Sequence, residues 1–198
     1  MAASVVPGCD HGTVTTTDPA APPGDTDPAP APPPARLTLV QVPFDDPRAV
    51  RLRDDMDVEM TARYRDPGVV EPAELVAARD AALHLSADVV LATLLVLDDE
   101  GTPVGHAALR RRGEDGEVKR VVVVDGRRGS GIGRRIMAEV ERLAREAGLR
   151  RLVLQTGSRQ PDAVALYEKL GWTPIPLFEP YASTMPTSLT YEKVLDRG

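Results

Sequence analysis

Polar and apolar residues alternate at period two over Arg36–Val42 (RLTLVQV), which predicts a strand. Asp45 or Asp46 then offers a helix N-cap, with Pro47 at the first helical position. Val50, Leu52, Met56, Val58 and Met60 carry that helix to about Tyr64, and Pro67-Gly68 breaks it. Pro72–Asp80, introduced by Glu71-Pro72, reads as a short second helix. Val89–Leu97 is a continuous apolar run of strand length. The turn Asp98-Asp99-Glu100-Gly101 sends it back as Val104–Arg110, and Gly113–Gly116 turns once more into Val118–Val124. Three strands joined by two tight turns form a meander.

A different period follows. Ile132, Ile136, Val140, Leu143 and Ala147 fall on one face of a helix running from about Gly131 to Ala147. Glu139, Arg142, Arg145 and Glu146 fill the opposite face, and Gly148 is a C-terminal stop. Leu152-Val153-Leu154 is a short buried strand. Pro161 opens a helix through Ala163, Leu166, Tyr167 and Leu170 that Gly171 ends, and Leu189–Leu195 is a final strand. The predicted order is β-α-α-β-β-β-α-β-α-β-β, an α/β layer with a mixed sheet.

Composition changes this picture at one end. Residues 1–35 hold nine of the 19 prolines, four aspartates and no Lys or Arg. So little apolar mass cannot offset the entropy of ordering, and the segment is expected to be a disordered acidic tail with polyproline II character at Pro28–Pro34. The domain is expected to span residues 36–198. The whole chain carries −6, but beyond the tail 26 acids face 24 bases. A protein with that balance is not expected to bind nucleic acid, which demands a basic face. No apolar run approaches the length of a membrane span, and the N-terminus lacks the basic and apolar regions of a secretory signal. Cys9 is the only cysteine, so no internal disulfide forms and a reducing cytoplasm is the expected setting. Cys9-Asp10-His11 lacks a second ligand pair, and no metal is expected. The preference for Arg, Ala and Val over Lys suits a GC-rich bacterial genome.

The chemistry concentrates at Arg127-Arg128-Gly129-Ser130-Gly131-Ile132-Gly133-Arg134-Arg135, between the valine run and the long helix. The first turn of a helix presents amide groups with no intrahelical partner, and its dipole favours anions. Glycines let a ligand approach those amides, so the loop reads as a phosphate cradle. A P-loop is excluded because Ile132 stands where its lysine belongs. A dinucleotide fingerprint fails too: Arg134 replaces its third glycine, and the next strand ends in Gln155-Thr156 rather than an acid.

Arg128-Gly129-Ser130-Gly131-Ile132-Gly133 reads R-x-x-G-x-G and resembles the pyrophosphate loop of the GCN5-related N-acetyltransferase (GNAT) family. Downstream, Ala163-Val164-Ala165-Leu166-Tyr167-Glu168-Lys169-Leu170-Gly171-Trp172 is similar to that family's A-x-x-L-Y-E-K-L-G-F. The resemblance covers residues 36–195 in element order and 117–175 at the level of motifs. One departure is Gln160, where the family often has Asn.

The resemblance implies a mixed, mostly antiparallel sheet flanked by helices. It also implies acetyl-CoA as cosubstrate and a small-molecule or peptide amine as acceptor, with a homodimer as the family's habit. Amides of Arg128, Gly129, Ser130, Gly131, Ile132, Gly133 and Arg134 would hold the pyrophosphate. A bulge in the fourth strand would aim a free amide of Val122, Val123 or Val124 at the acetyl oxygen. Tyr167 would protonate the leaving thiolate. An attacking ammonium must first lose a proton. Glu117 is the candidate base, with His106 a second, and in an unbulged strand Glu117, Lys119, Val121 and Val123 would share a face. Phe178, Glu179 and Tyr181, in the loop Pro174–Pro186, are candidates for acceptor contact, and Trp172 for the core. A non-catalytic acyl-CoA sensor needs the same cradle but neither Tyr167 nor a base.

Overall fold

Among residues 36–196, which the computed structural model describes, seven strands form one sheet in the order β1-β2-β3-β4-β5-β7-β6. The expected tail, residues 1–35, lies outside the described residues. The strands are β1 (Thr38–Val42), β2 (Val90–Leu97), β3 (Pro103–Arg112), β4 (Asp115–Val123), β5 (Arg151–Thr156), β6 (Thr173–Ile175) and β7 (Leu189–Val194). The helices are α1 (Pro47–Tyr64), α2 (Ala73–Leu83), α3 (Ile132–Glu146), α4 (Pro161–Lys169) and the single turn α5 (Tyr181–Thr184). β4 and β5 run parallel, and the remaining neighbours run antiparallel. No helix among the described residues is long and apolar enough to cross a membrane.

The predicted elements are present, with informative shifts at their edges. Asp46 caps α1 by accepting from the Arg48 amide at 2.9 Å, and Pro47 follows it. Gly116 was expected in a turn but pairs with both Arg111 and Leu152, because strands on either side override the turn preference of glycine. The turn between β3 and β4 therefore tightens to Gly113-Glu114. Within the loop Pro174–Pro186 the chain makes α5, and β6 just before it.

α3 supplies the main core. Ile136, Met137, Val140 and Ala144 are fully buried against Ala107, Leu109, Val118, Leu152 and Leu154 of the sheet. Truncating such a side chain to alanine costs about 2–5 kcal/mol. A smaller cluster of Ala49, Leu52 and Leu95 seats α1 on the other face.

β4 contains one extra residue. Lys119 pairs with Ala108 and Val122 with His106, so three steps on β4 oppose two on β3. Arg120 sits in this bulge at φ 57, the one non-glycine with positive φ among the described residues. That conformation costs an L-residue roughly 1–2 kcal/mol. The bulge also corrects the expected shared face. Glu117 and Lys119 lie on one side of the sheet, whereas Val121 and Val123 pack into the α3 cluster on the other.

Candidate active site

β5 follows β4 only from Gly116 to Val118, opposite Leu152 to Leu154. Beyond Val118 the two parallel strands diverge. The gap opens into a cleft of about 1930 Å³. Its floor is Val121–Val123 of β4, the loop Arg127–Arg134 and Tyr167 of α4; Met56 and Met60 of α1 and Leu75 and Leu83 of α2 form the opposite wall.

The loop is built to receive an anion. Gly131 is the N-cap of α3 at φ 85, and no side chain caps the first amides of that helix. A Cβ there would be strained and would come within 3.8 Å of the Arg134 guanidinium. Gly133 serves another need: a Cβ on it would lie 2.9 Å from Leu166 Cδ2, so its absence lets α4 approach α3. Among the described residues Arg134 has neither an ion pair nor a hydrogen bond from its guanidinium, and it lines the cleft within the first turn of α3. Arg127 is held by Asp98 at 2.7 Å. Arg128 donates to both oxygens of Glu59 at 2.7 and 2.8 Å and, through Nε, to the Val123 carbonyl at 3.2 Å. Uncapped amides, glycine in place of Cβ atoms and cations at the rim fit a pyrophosphate.

The bulge determines which β4 amide faces this space. The Val124 amide donates to the Val104 carbonyl at 3.1 Å. Alternation along an antiparallel pair then joins Val122 to His106 and turns the amide and carbonyl of Val123 away from β3. Arg128 reaching the Val123 carbonyl from the loop shows the same orientation. Of the three valines named from the sequence, Val123 alone presents its amide to the cleft; those of Val122 and Val124 are taken up by β3. Without the extra residue, β3 would instead bond Val121 and Val123.

Tyr167 lines the cleft with its ring buried beside Trp172 and Tyr191, at centroid distances of 6.0 and 6.1 Å. No hydrogen-bond partner for its hydroxyl is found among the described residues. Burial holds the phenol well above its ordinary pKa, so the group carries its proton. Trp172 is in the core as expected.

Glu117 is fully buried and lies outside the cleft lining. Arg110 donates to it at 2.7 and 3.0 Å, and Lys119 and Arg112 stand at 3.8 and 3.9 Å. The Tyr181 hydroxyl donates to its other oxygen, and Lys119 Nζ donates to that hydroxyl at 2.6 Å. Burial pushes Lys119 down to about 8; Glu117 opposes this, and Arg110 and Arg120 add to it. Lys119 lines the cleft and is the outer end of this chain.

The structure sets the three acceptor-contact candidates away from the cleft. Tyr181 is buried on Glu117. Phe178 lies under the Arg112 guanidinium at 4.3 Å, and Glu179 accepts from Arg112 through its carbonyl and from Ser183 through its carboxylate. The part of that loop lining the cleft is Thr184–Ser188. Cleft-lining Asp57 and Glu59 of α1 were also missed, since carboxylates on a polar helix face look like solvent-facing charge in a sequence. His106, the second base candidate, is fully buried and outside the cleft lining. Its Nδ1 lies 2.8 Å from the Arg120 carbonyl and its Nε2 lies 3.3 Å from Arg53 Nη1.

Residues 53–172 match the family model described as acetyltransferase (GNAT) family. Over 103 residues the chain is 44% identical to an IAA acetyltransferase of Azospirillum brasilense, spanning 51% of this chain and 67% of that protein. A Klebsiella pneumoniae structure described as an acyl-CoA N-acyltransferase superposes with a TM-score of 0.65 at 26% identity, covering 81% of this chain and 98% of that one. An IAA acetyltransferase of Bacillus cereus shares the fold at a TM-score of 0.56 and 15% identity, over 81% of this chain and 100% of its own.

Proposed function

The chain belongs to the GNAT acetyltransferase family and is an N-acetyltransferase, and we propose that it carries an acetyl group from acetyl-CoA to a primary amine of a small molecule or peptide by direct attack. The observation that supports this best is the convergence on one cleft of the uncapped α3 amides, the outward amide of Val123 and the Tyr167 hydroxyl. Acetyl-CoA supplies an activated thioester. The amides of residues 128–134 and the Arg134 guanidinium hold its pyrophosphate at the positive end of α3. The Val123 amide donates to the acetyl oxygen, where negative charge develops during transfer. Tyr167 keeps a proton at its Oη for the departing sulfur.

Glu117 is separated from the cleft by Lys119 and Tyr181. Its part in removing the ammonium proton therefore runs through that hydrogen-bonded pair rather than by direct contact. The acceptor enters between α1, α2 and Thr184–Ser188. The Azospirillum brasilense relative is named for IAA, which is to be tried beside the amines as a separate kind of acceptor.

Calorimetric titration with acetyl-CoA tests the cradle. Saturable binding is expected, with a desulfo-analogue losing only the thioester contribution and acetylated pantetheine, which lacks the pyrophosphate, binding far more weakly. Affinity that is indifferent to removal of the pyrophosphate would overturn the assignment.

A further inference from the structure

The ring of His106 is tied to the β4 bulge on one side and to α1 on the other. Arg53 is buried, fixed by donation from Nη2 to the Phe44 carbonyl at 2.8 Å, and stacked over the Phe44 ring at 4.2 Å. A guanidinium only donates, so Nε2 of His106 must accept from Arg53. The ring proton is thereby placed on Nδ1, which donates to the Arg120 carbonyl. That carbonyl belongs to the single left-handed non-glycine residue among those described. The guanidinium of Arg120 is tied down as well, by Asp57 of α1 and the Leu83 carbonyl of α2. An unfavourable backbone conformation persists where its surroundings over-determine it.

We propose that His106 is a positioning residue for acetyl transfer, clamping the Arg120 carbonyl so that β4 keeps its extra residue and the Val123 amide stays turned into the cleft. This rests on the assignment of that amide to the acetyl oxygen. The clamp has three links: Arg53 sets the tautomer, His106 holds the carbonyl, and Arg120 carries the bulge. Loss of the clamp lets β4 slide back into regular register. Val121 and Val123 then bond to β3, and the donor that remains in the cleft is one residue out of place.

The test uses two amide substitutions of opposite reach. Asn at 106 presents its NH₂ near the position of Nδ1, and Gln presents its own near Nε2. His106→Asn is expected to retain kcat within about threefold. His106→Gln is expected to lose kcat by about 10²-fold, the scale of one lost charge-stabilising donor, while the dissociation constant for acetyl-CoA stays within about threefold because the α3 cradle is untouched. Amide hydrogen exchange on the protein without ligand gives a readout independent of turnover. The wild type should protect Val122 and Val124 and leave Val123 fast, and His106→Gln should invert that pattern. A third variant, His106→Gln with Arg120→Gly, restores the bulge through glycine's tolerance of positive φ and should recover the wild-type exchange pattern. Equal kcat and unchanged exchange in His106→Gln would overturn the clamp. An inverted pattern with unchanged kcat would leave the clamp standing but sink the role of the Val123 amide, so the two failures are distinguishable.

Discussion

Arg128 of the loop and Glu59 of α1 meet across the mouth of the cleft, with Nη2 2.7 and 2.8 Å from the two carboxylate oxygens. A carboxylate thus occupies a loop cation that a phosphate would otherwise engage. Both side chains are more than a third exposed, so water and salt screen the pair and it contributes at most about 1 kcal/mol. Glu59→Gln should therefore tighten acetyl-CoA binding by no more than about fivefold. Titration at two salt concentrations checks this, since the gain should shrink at the higher one. Weaker binding in the variant would show that Glu59 assists the ligand instead of competing with it.

The Tyr167 hydroxyl has no protein partner among the described residues, which separates its chemical role from its structural one. Tyr167→Phe removes no intramolecular hydrogen bond and keeps the ring beside Trp172 and Tyr191. Turnover should fall by about 10²-fold or more, the scale of general acid catalysis. The melting temperature and the acetyl-CoA dissociation constant should hardly move. Unchanged turnover would remove Tyr167 from the reaction.

Gly131→Ala carries two penalties that a binding curve and a denaturation curve resolve. An L-residue at φ 85 loses roughly 1–2 kcal/mol of stability. The added methyl also comes within 3.8 Å of the Arg134 guanidinium, in the loop proposed to hold the pyrophosphate, so affinity should drop further than stability does. A variant that loses stability but binds acetyl-CoA normally would place the pyrophosphate elsewhere.

His106 makes stability pH-dependent with a definite sign. Burial pushes its imidazole down to about 4; the hydrogen bond to the Arg120 carbonyl opposes this, and the charges of Arg53 and Arg120 add to it. The unfolded chain takes up the proton near pH 6.5, but the folded chain resists until about 4. The contribution is full above 6.5 and is lost as pH falls through that window, amounting to about 2 kcal/mol between pH 7 and pH 5. Urea denaturation at both pH values should show His106→Asn less acid-sensitive than the wild type by that amount. Equal sensitivity would mean that His106 is already charged in the folded protein.

Much of the fold was legible because its signals are local. The period-3.6 face of Ile132, Ile136 and Val140 marks α3, and the two turns of the meander mark β2 to β4. The loop motif and the Tyr167 motif were legible for the same reason. What escaped depends on pairing between distant residues. The extra residue at Arg120 leaves no mark in Val121-Val122-Val123-Val124, because only the register against His106 and Ala108 reveals it. Glu117 looked accessible as a polar residue near a strand's start, but Arg110 and Tyr181, the latter 64 positions away, bury it. Phe178 and Tyr181 were candidates for acceptor contact in the loop Pro174–Pro186. Tyr181, at the start of α5, covers that buried carboxylate, and Phe178 packs between its ring and Arg112. The acceptor is written in no motif, since the cleft wall proposed for it is assembled from α1, α2 and Thr184–Ser188.

The most direct test is acceptor-dependent release of the coenzyme A thiol, followed across a panel of small-molecule and peptide amines, with wild type and Tyr167→Phe side by side. At least one amine should accelerate thiol release in the wild type, yield its N-acetyl product by mass, and lose that acceleration in the variant. Saturable acetyl-CoA binding with no acceptor-dependent release from any amine, and identical traces for the two proteins, would contradict the transfer chemistry assigned to the cleft and leave it a site that only binds the thioester.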